Sequence, residues 1–321
     1  MDHRDFPSIL LHGARGTGLW EALRQGAAGL LCERVAAASE PWRTQACGEC
    51  DGCRLLRSGS HPDLHMVLPP ALGVELGVTP AALESGADKR SAAGREITID
   101  DVRALNEWAH ATSHRGGVKV ALVHPLDAMA AAAANALLKV LEEPPAHVCF
   151  LTGTNQLDRV LPTLRSRCRV QAWARPDAAT ARDELQRRGE SDARAVACWC
   201  RHAVFDPDPA RGLEWTRRLL RKLAAGEPAS SDGVTPAVAI ESLQKATLDV
   251  LRARAGLAPI YLPGLERELQ RLGARGDAAA WQQWWQRLAQ AARTAEFPLH
   301  GALAVQAWVV EWSRLCTSGN N

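Results

Sequence analysis

Three cysteines recur at C-x2-C steps in CGECDGC: Cys47, Cys50 and Cys53. A fourth, Cys32, lies upstream in LLCE, at the end of a helical stretch. Thiolates suit zinc, and four of them close a tetrahedral shell around it. The short steps let successive sulfurs converge on one cation, and Gly48 and Gly52 permit the sharp turns this requires. A shell of four sulfurs leaves no place for a reactive water, so the expected chemistry is structural: a Zn2+ site coupled to local folding. His61 and His65 stand as substitutes for the fourth and most distant ligand, Cys32. Cys149, Cys168, Cys198, Cys200 and Cys316 lack ligand spacing; Cys198-Trp-Cys200 has the wrong step for a chelating turn and reads as core.

A second pattern lies ahead of the cysteines. HGARGTGLW follows the apolar run Ile9–Leu11 and leads into a helical stretch, the context of a phosphate-binding loop. Gly13 and Gly18 occupy the glycine positions of G-x-x-x-x-G-K-[ST], but Leu19 stands where the lysine belongs and Trp20 where the hydroxyl belongs. A working site also needs acidic groups after a second strand to hold magnesium. After VKVALV the chain reads His124-Pro125 instead. Three losses point one way: a degenerate nucleotide pocket, with no ATP bound by this chain.

The elements that position these residues alternate in type. Ile9–Leu11, Val118–Val123 and Val148–Leu151 read as buried strands. Thr98-Ile99-Asp100-Asp101 reads as a helix start, with Val102, Leu105 and Ala109 on one face. The run Ala128–Leu141 is helical by propensity and stops before Pro144-Pro145. Strands alternating with helices predict an α/β fold with a mainly parallel sheet. Residues 71–95 are rich in glycine, alanine and polar groups and read as a mobile surface insertion. From about 173 to 213 the chain reads as a small helical segment, and 214–321 as all-helical with one interrupting loop at AGEPASSDGVTP. Trp281, Trp284 and Trp285, then Trp308 and Trp312, recur at helical spacing and read as core aromatics.

The 321 residues are 46% hydrophobic, enough for two or three domains with a sizeable core. A formal charge of +2 argues against a strongly basic nucleic-acid binder acting alone. With no signal core and no apolar run long enough for a membrane, the expected location is the cytoplasm. The first apolar run begins within ten residues, an abruptness that points to an element missing before it.

One long stretch resembles a known family. Asn135-Ala-Leu-Leu-Lys139, Leu141-Glu-Glu-Pro-Pro145, the strand with Thr152 and Asn155, and Ser166-Arg167-Cys168 are similar to the delta-prime subunits of bacterial replicative clamp loaders, within the AAA+ superfamily. The cysteine cluster followed by SGSHPDLH matches the same family. The resemblance implies an AAA+ parallel sheet with flanking helices over 1–172, the zinc module (32–53) inserted in it. A small helical lid over 173–213 and an all-α C-terminal collar over 214–321 would follow. It implies a non-catalytic stator in the DNA polymerase III holoenzyme, working with gamma/tau and delta subunits to load the sliding β-clamp on primed DNA. It also implies that Arg167, shaped by Ser166 and Cys168, reaches in trans into the ATP site of a gamma/tau neighbour. Rival readings are an active gamma/tau-like ATPase, opposed by Leu19, Trp20, His124 and Pro125, and a zinc-containing DNA-binding regulator, opposed by the near-neutral charge. The gap between Cys32 and Cys47 is longer than usual for the family.

Overall fold

In the computed structural model, residues 8–35, 44–78, 94–274, 278–292 and 301–317 are described. They divide into two compact units, residues 1–175 and 176–321. The first is built on five parallel strands: β1 Ile9–His12, β2 Leu64–Val67, β3 Lys119–Val123, β4 Val148–Thr154 and β5 Arg169–Ala172. Their order across the sheet is β2-β3-β4-β1-β5. Parallel neighbours need crossovers, and helices supply them: α1 Leu19–Leu31, α2 Asp51–Arg57, α3 Pro70–Glu75, α4 Ile99–His110, α5 Ala131–Glu142 and the short α6 Pro162–Arg165.

Side chains alternate across the sheet and give each face its own core. Leu10, Ala121, Val123 and Phe150 pack under α4 and α5, against Val102, Leu105, Leu137 and Leu141. Ile9, Leu11, Val120, Leu122 and Leu151 pack under α1, against Leu19, Trp20, Leu23 and Leu30. This is the parallel sheet with flanking helices that the sequence predicts. Helix α4 begins as its residues dictate: Thr98 Oγ1 accepts from the Asp101 amide at 3.4 Å, and Asp101 Oδ2 accepts from the Thr98 amide at 2.7 Å. Helix α5 starts at Ala131, after a 3-10 turn at Leu126–Ala128, and closes before Pro144. Of the predicted insertion, the start is helical in α3, and residues 79–93 lie outside the described residues.

The second unit contains α7 Ala178–Arg187, α8 Ala193–Trp199, α9 Leu213–Ala225, α10 Pro236–Arg254, α11 Glu266–Gly273, α12 Ala278–Ala292 and α13 Gly301–Thr317. The expected interrupting loop falls between α9 and α10. One apolar core runs through the unit, from Ala181 to Cys316. Trp281, Trp284 and Trp312 are buried in it, and the indole N–H groups of Trp284 and Trp312 both donate to Thr247 Oγ1, at 3.2 and 3.0 Å. A single hydroxyl accepting from two buried indoles fixes how α12 and α13 sit on α10. Trp285 departs from expectation: it is 36% exposed. It lies at the edge of the stripe set by Trp281, Trp284 and Leu288, where helical spacing alone does not separate buried from half-buried positions. No helix among the described residues is long and apolar enough to cross a membrane.

Candidate functional site

The end of α1 delivers the first cysteine. Leu31 is the last helical residue, and Cys32 leaves in an extended conformation. The chain returns at Cys47, and Cys50 caps α2, its Sγ accepting from the Cys53 amide at 3.4 Å. The same contact repeats twice: the Cys47 amide donates to Cys32 Sγ and the Cys50 amide to Cys47 Sγ, each at 3.4 Å. Gly52 is required where the two segments meet, because a Cβ there would lie 2.6 Å from the Leu31 carbonyl oxygen. The result brings Cys32, Cys47, Cys50 and Cys53 together, all four sulfurs within 4.8 Å of one another. Cys32 and Cys50 are 3.9 Å apart, as are Cys47 and Cys53. A tetrahedron of sulfurs around zinc has edges of about 3.8 Å for Zn–S bonds near 2.3 Å. The donor set and its spacing fit a closed zinc site of four cysteines.

The thiols are tuned unevenly. Burial pushes Cys53 up to about 12. Burial also raises Cys32 and Cys50, but donating backbone N–H groups outweigh it and both are lowered on balance. Cys47 is lowered chiefly by the amides of Glu49 and Cys50. Four thiolates at this spacing would repel one another, and a dication held between them would offset that repulsion. Neither histidine substitute joins the cluster. His61 is buried and its Nδ1 accepts from the Asp63 amide at 3.1 Å, while His65 packs on Trp108 with ring centroids 5.2 Å apart. The cysteine module is braced to the sheet through Glu33, which pairs with Arg115. The loop carrying Arg115 is in turn held by Asp63, which accepts from the His114 and Arg115 amides at 2.9 and 3.0 Å.

The glycine loop runs between β1 and α1. Leu19 and Trp20 are both buried. The Trp20 ring stacks on His124, with centroids 6.0 Å apart and planes at 27°. His124 is in turn pressed against the next strand: a Cβ at Gly153 would lie 2.7 Å from His124 Nδ1 and 2.6 Å from Leu23 Cδ1. The carbonyl groups of the loop are already engaged. Trp173 Nε1 donates to Thr17 O at 3.0 Å, Asn155 Nδ2 to Gly13 O at 3.1 Å, and Thr17 Oγ1 to Ala14 O at 2.6 Å. Asp127 fixes the end of β4, accepting from Thr154 Oγ1 at 2.5 Å and from the Asn155 amide at 3.1 Å. Pro125 opens the turn that carries Asp127. The structure thus sets Trp20 against His124 at the start of α1, with Leu19 beside it at the position of the lysine and the two aromatic rings at the positions of the hydroxyl and the acid.

Burial of His124 has a consequence in acid. Its imidazole is pushed down to about 4, against an ordinary value of about 6.5. The native state therefore refuses a proton that the unfolded chain accepts. Stability is complete above pH 6.5 and falls as the pH drops from 6.5 toward 4; at pH 5 the loss from this one group is about 2 kcal/mol. Urea unfolding at pH 7 and pH 5 should show this loss, and His124→Asn should remove that component of it. Equal pH sensitivity in the two proteins would show that His124 is not the group responsible.

The Ser-Arg-Cys turn lies at the opposite end of β1, where Arg169 pairs with Ile9. Ser166 Oγ donates to Thr163 O at 3.0 Å, which tightens the end of α6. Cys168 is buried in the core under α5, and burial raises its thiol to about 11, so it anchors the turn as an apolar group. Between them Arg167 keeps about a third of its side chain exposed. Its Nη1 donates to Thr163 O at 3.1 Å and its Nη2 to Glu142 Oε1 at 2.5 Å.

Comparison with known proteins converges on one family. Residues 2–176 match the family described as "DNA polymerase III, delta subunit". A DNA polymerase III subunit delta' of Escherichia coli (strain K12) is 32% identical over 258 residues, 75% of this chain and 69% of that protein. The chain belongs to the delta-prime family of DNA polymerase III subunits. A Pseudomonas aeruginosa delta' relative is 39% identical over 180 residues, 56% of this chain and 47% of that protein, so the match spans under half of that relative's length. A DNA polymerase III subunit tau of E. coli is 32% identical over 161 residues, 50% of this chain and 20% of that protein.

Three participating residues escape sequence reading. Trp173, Asp127 and Glu142 carry no local signal; each acts on a residue remote in the chain, Thr17, Asn155 and Arg167 respectively. Glu142 lies inside the LEEPP stretch quoted for the resemblance, but the stretch alone assigns it no role.

Proposed function

We propose that the chain is a non-catalytic clamp-loader subunit. In this reading it acts as a stator within the DNA polymerase III complex. Together with gamma/tau and delta subunits it helps place the sliding β-clamp on primed DNA in the cytoplasm. Residues 173–213 serve as the lid and 214–321 as the collar through which subunits assemble. A structural zinc, held by Cys32, Cys47, Cys50 and Cys53, stabilises the inserted module. Arg167 serves the ATP site of a gamma/tau neighbour. There its guanidinium, planar and permanently charged, engages the γ-phosphate as charge develops in the transition state.

The observation that carries this reading is the stack of buried Trp20, at the start of α1, on buried His124, just after β3. It supports a fold kept for assembly whose own nucleotide chemistry is gone. The rival reading, an active gamma/tau-like ATPase, has no lysine and no acid to work with. Equilibrium dialysis of the purified chain against Mg-ATP should detect no binding at millimolar nucleotide. The same preparation mixed with gamma/tau and delta should elute with them as one complex. Micromolar Mg-ATP affinity of the chain alone would overturn the non-catalytic reading, and failure to join gamma/tau and delta would overturn the clamp-loader role.

A further inference from the structure

Four arginines cluster around the turn between β4 and β5: Arg159, Arg165, Arg167 and Arg169. Among the described residues only Arg167 is held by a carboxylate, that of Glu142. The pair is placed with care. Glu142 is the last residue of α5, which ends there ahead of Pro144-Pro145. A carboxylate at a helix C-terminus faces the negative end of the helix dipole and is disfavoured by its own helix. A cation from elsewhere relieves this, and Arg167 is the one that arrives. Its other terminal nitrogen is held by the Thr163 carbonyl, so the guanidinium is gripped from two directions. An arginine has five N–H donors in a fixed plane. These contacts leave Nε–H and a second Nη2 proton without a partner among the described residues, on a side chain that is 34% exposed.

We propose that Glu142 is a positioning residue for Arg167: it holds the guanidinium in one orientation, with donors still available, before a neighbour's triphosphate is met. The inference rests on the reading of Arg167 as a trans-acting group and extends it to the residue that aims it. A long, flexible side chain loses rotamer freedom on engaging a ligand, and a grip inside its own subunit removes most of that loss from the engagement step. The pair itself is too exposed to matter much for folding. Its effect should therefore fall on turnover rather than on stability.

The test uses the complex reconstituted with gamma/tau and delta subunits, β-clamp and primed DNA, with hydrolysis of pre-bound ATP followed in a single turnover and ATP affinity measured separately. Arg167→Ala sets the reference loss. Glu142→Ala should slow the phase from the site facing Arg167 about tenfold with ATP affinity within about twofold, the pattern for an interaction made in the transition state. Glu142→Gln keeps an oxygen that can accept from Nη2 and should recover activity to within about threefold of the parent. The double variant Glu142→Ala/Arg167→Ala should be no slower than Arg167→Ala alone, because the two residues act through one group. The urea midpoint of Glu142→Ala and its elution with its partners should match the parent. If Arg167→Ala slows the complex and Glu142→Ala does not, or if Glu142→Ala speeds it, the positioning role is overturned while the reading of Arg167 stands. An additive double variant also overturns it. If Arg167→Ala itself has no effect, the reading of Arg167 fails first and Glu142 falls with it.

Discussion

Cys50→Ser should reduce zinc from about one ion per chain to near none and loosen the segment from residue 44 to 57. Cys50 is the critical choice because it does two things at once. Its sulfur stands 3.9 Å from Cys32 Sγ, and it caps α2 by accepting the Cys53 amide. Serine keeps the cap, since its hydroxyl accepts the same N–H, so the substitution isolates the metal. Structural zinc contributes on the order of 10–16 kcal/mol of apparent binding energy in small zinc modules. Among the described residues, the four cysteines have little apolar core to replace it: Val35, Ala46 and Cys47 pack around three buried cysteines. Metal analysis under reducing conditions, with limited proteolysis read at residues 44–57, checks both halves. The segment should become a cleavage site in Cys50→Ser and in the chelated parent protein alike. Full zinc occupancy in the variant would mean that the four-cysteine shell is wrongly assigned.

What the sequence makes legible follows a physical division. Strands β1, β3 and β4 are fully or almost fully buried and carry continuous apolar runs, so their period and length betray them. Strands β2 and β5 are sheet edges. Their residues, LHMV and RVQA, include histidine, arginine and glutamine that an edge tolerates, and pairing with β3 and β1 rather than local preference makes them strands. The cysteine site divides in the same way. Cys47, Cys50 and Cys53 are joined by spacing, whereas Cys32 is read as the fourth from its place at the end of a helical stretch, and the packed fold brings it beside them. The glycine loop shows in the sequence what is missing, lysine and acid. It does not show what took their place, because Trp173 reaches Thr17 across 156 residues and Asn155 reaches Gly13 across 142.

Arg167→Ala is the substitution that tests the proposed chemistry most directly. The side chain is one-third exposed and buries no core, so the unfolding midpoint and assembly with gamma/tau and delta should stay close to the parent. ATP turnover at the site facing this chain should collapse, because fingers supplied in trans accelerate phosphoryl transfer roughly 10³–10⁵-fold in other systems. A complex with several ATP sites dilutes this in the steady state, so the measurement should follow hydrolysis of pre-bound ATP in a single turnover, where the affected site appears as a slow phase. Arg167→Lys separates two explanations. Lysine keeps the charge and loses the planar fork, so it should rescue little if the guanidinium clamps phosphate and much if positive potential alone matters. Arg165→Ala and Arg169→Ala supply the second comparison: neither is tied to a carboxylate among the described residues, and each should change the fast phase by no more than about threefold, as rim charges do. A slow phase that appears in Arg167→Ala, persists in Arg167→Lys and is absent from both neighbours requires a positioned guanidinium. Equal effects from all three arginines would reduce this edge of the sheet to a generally basic interface.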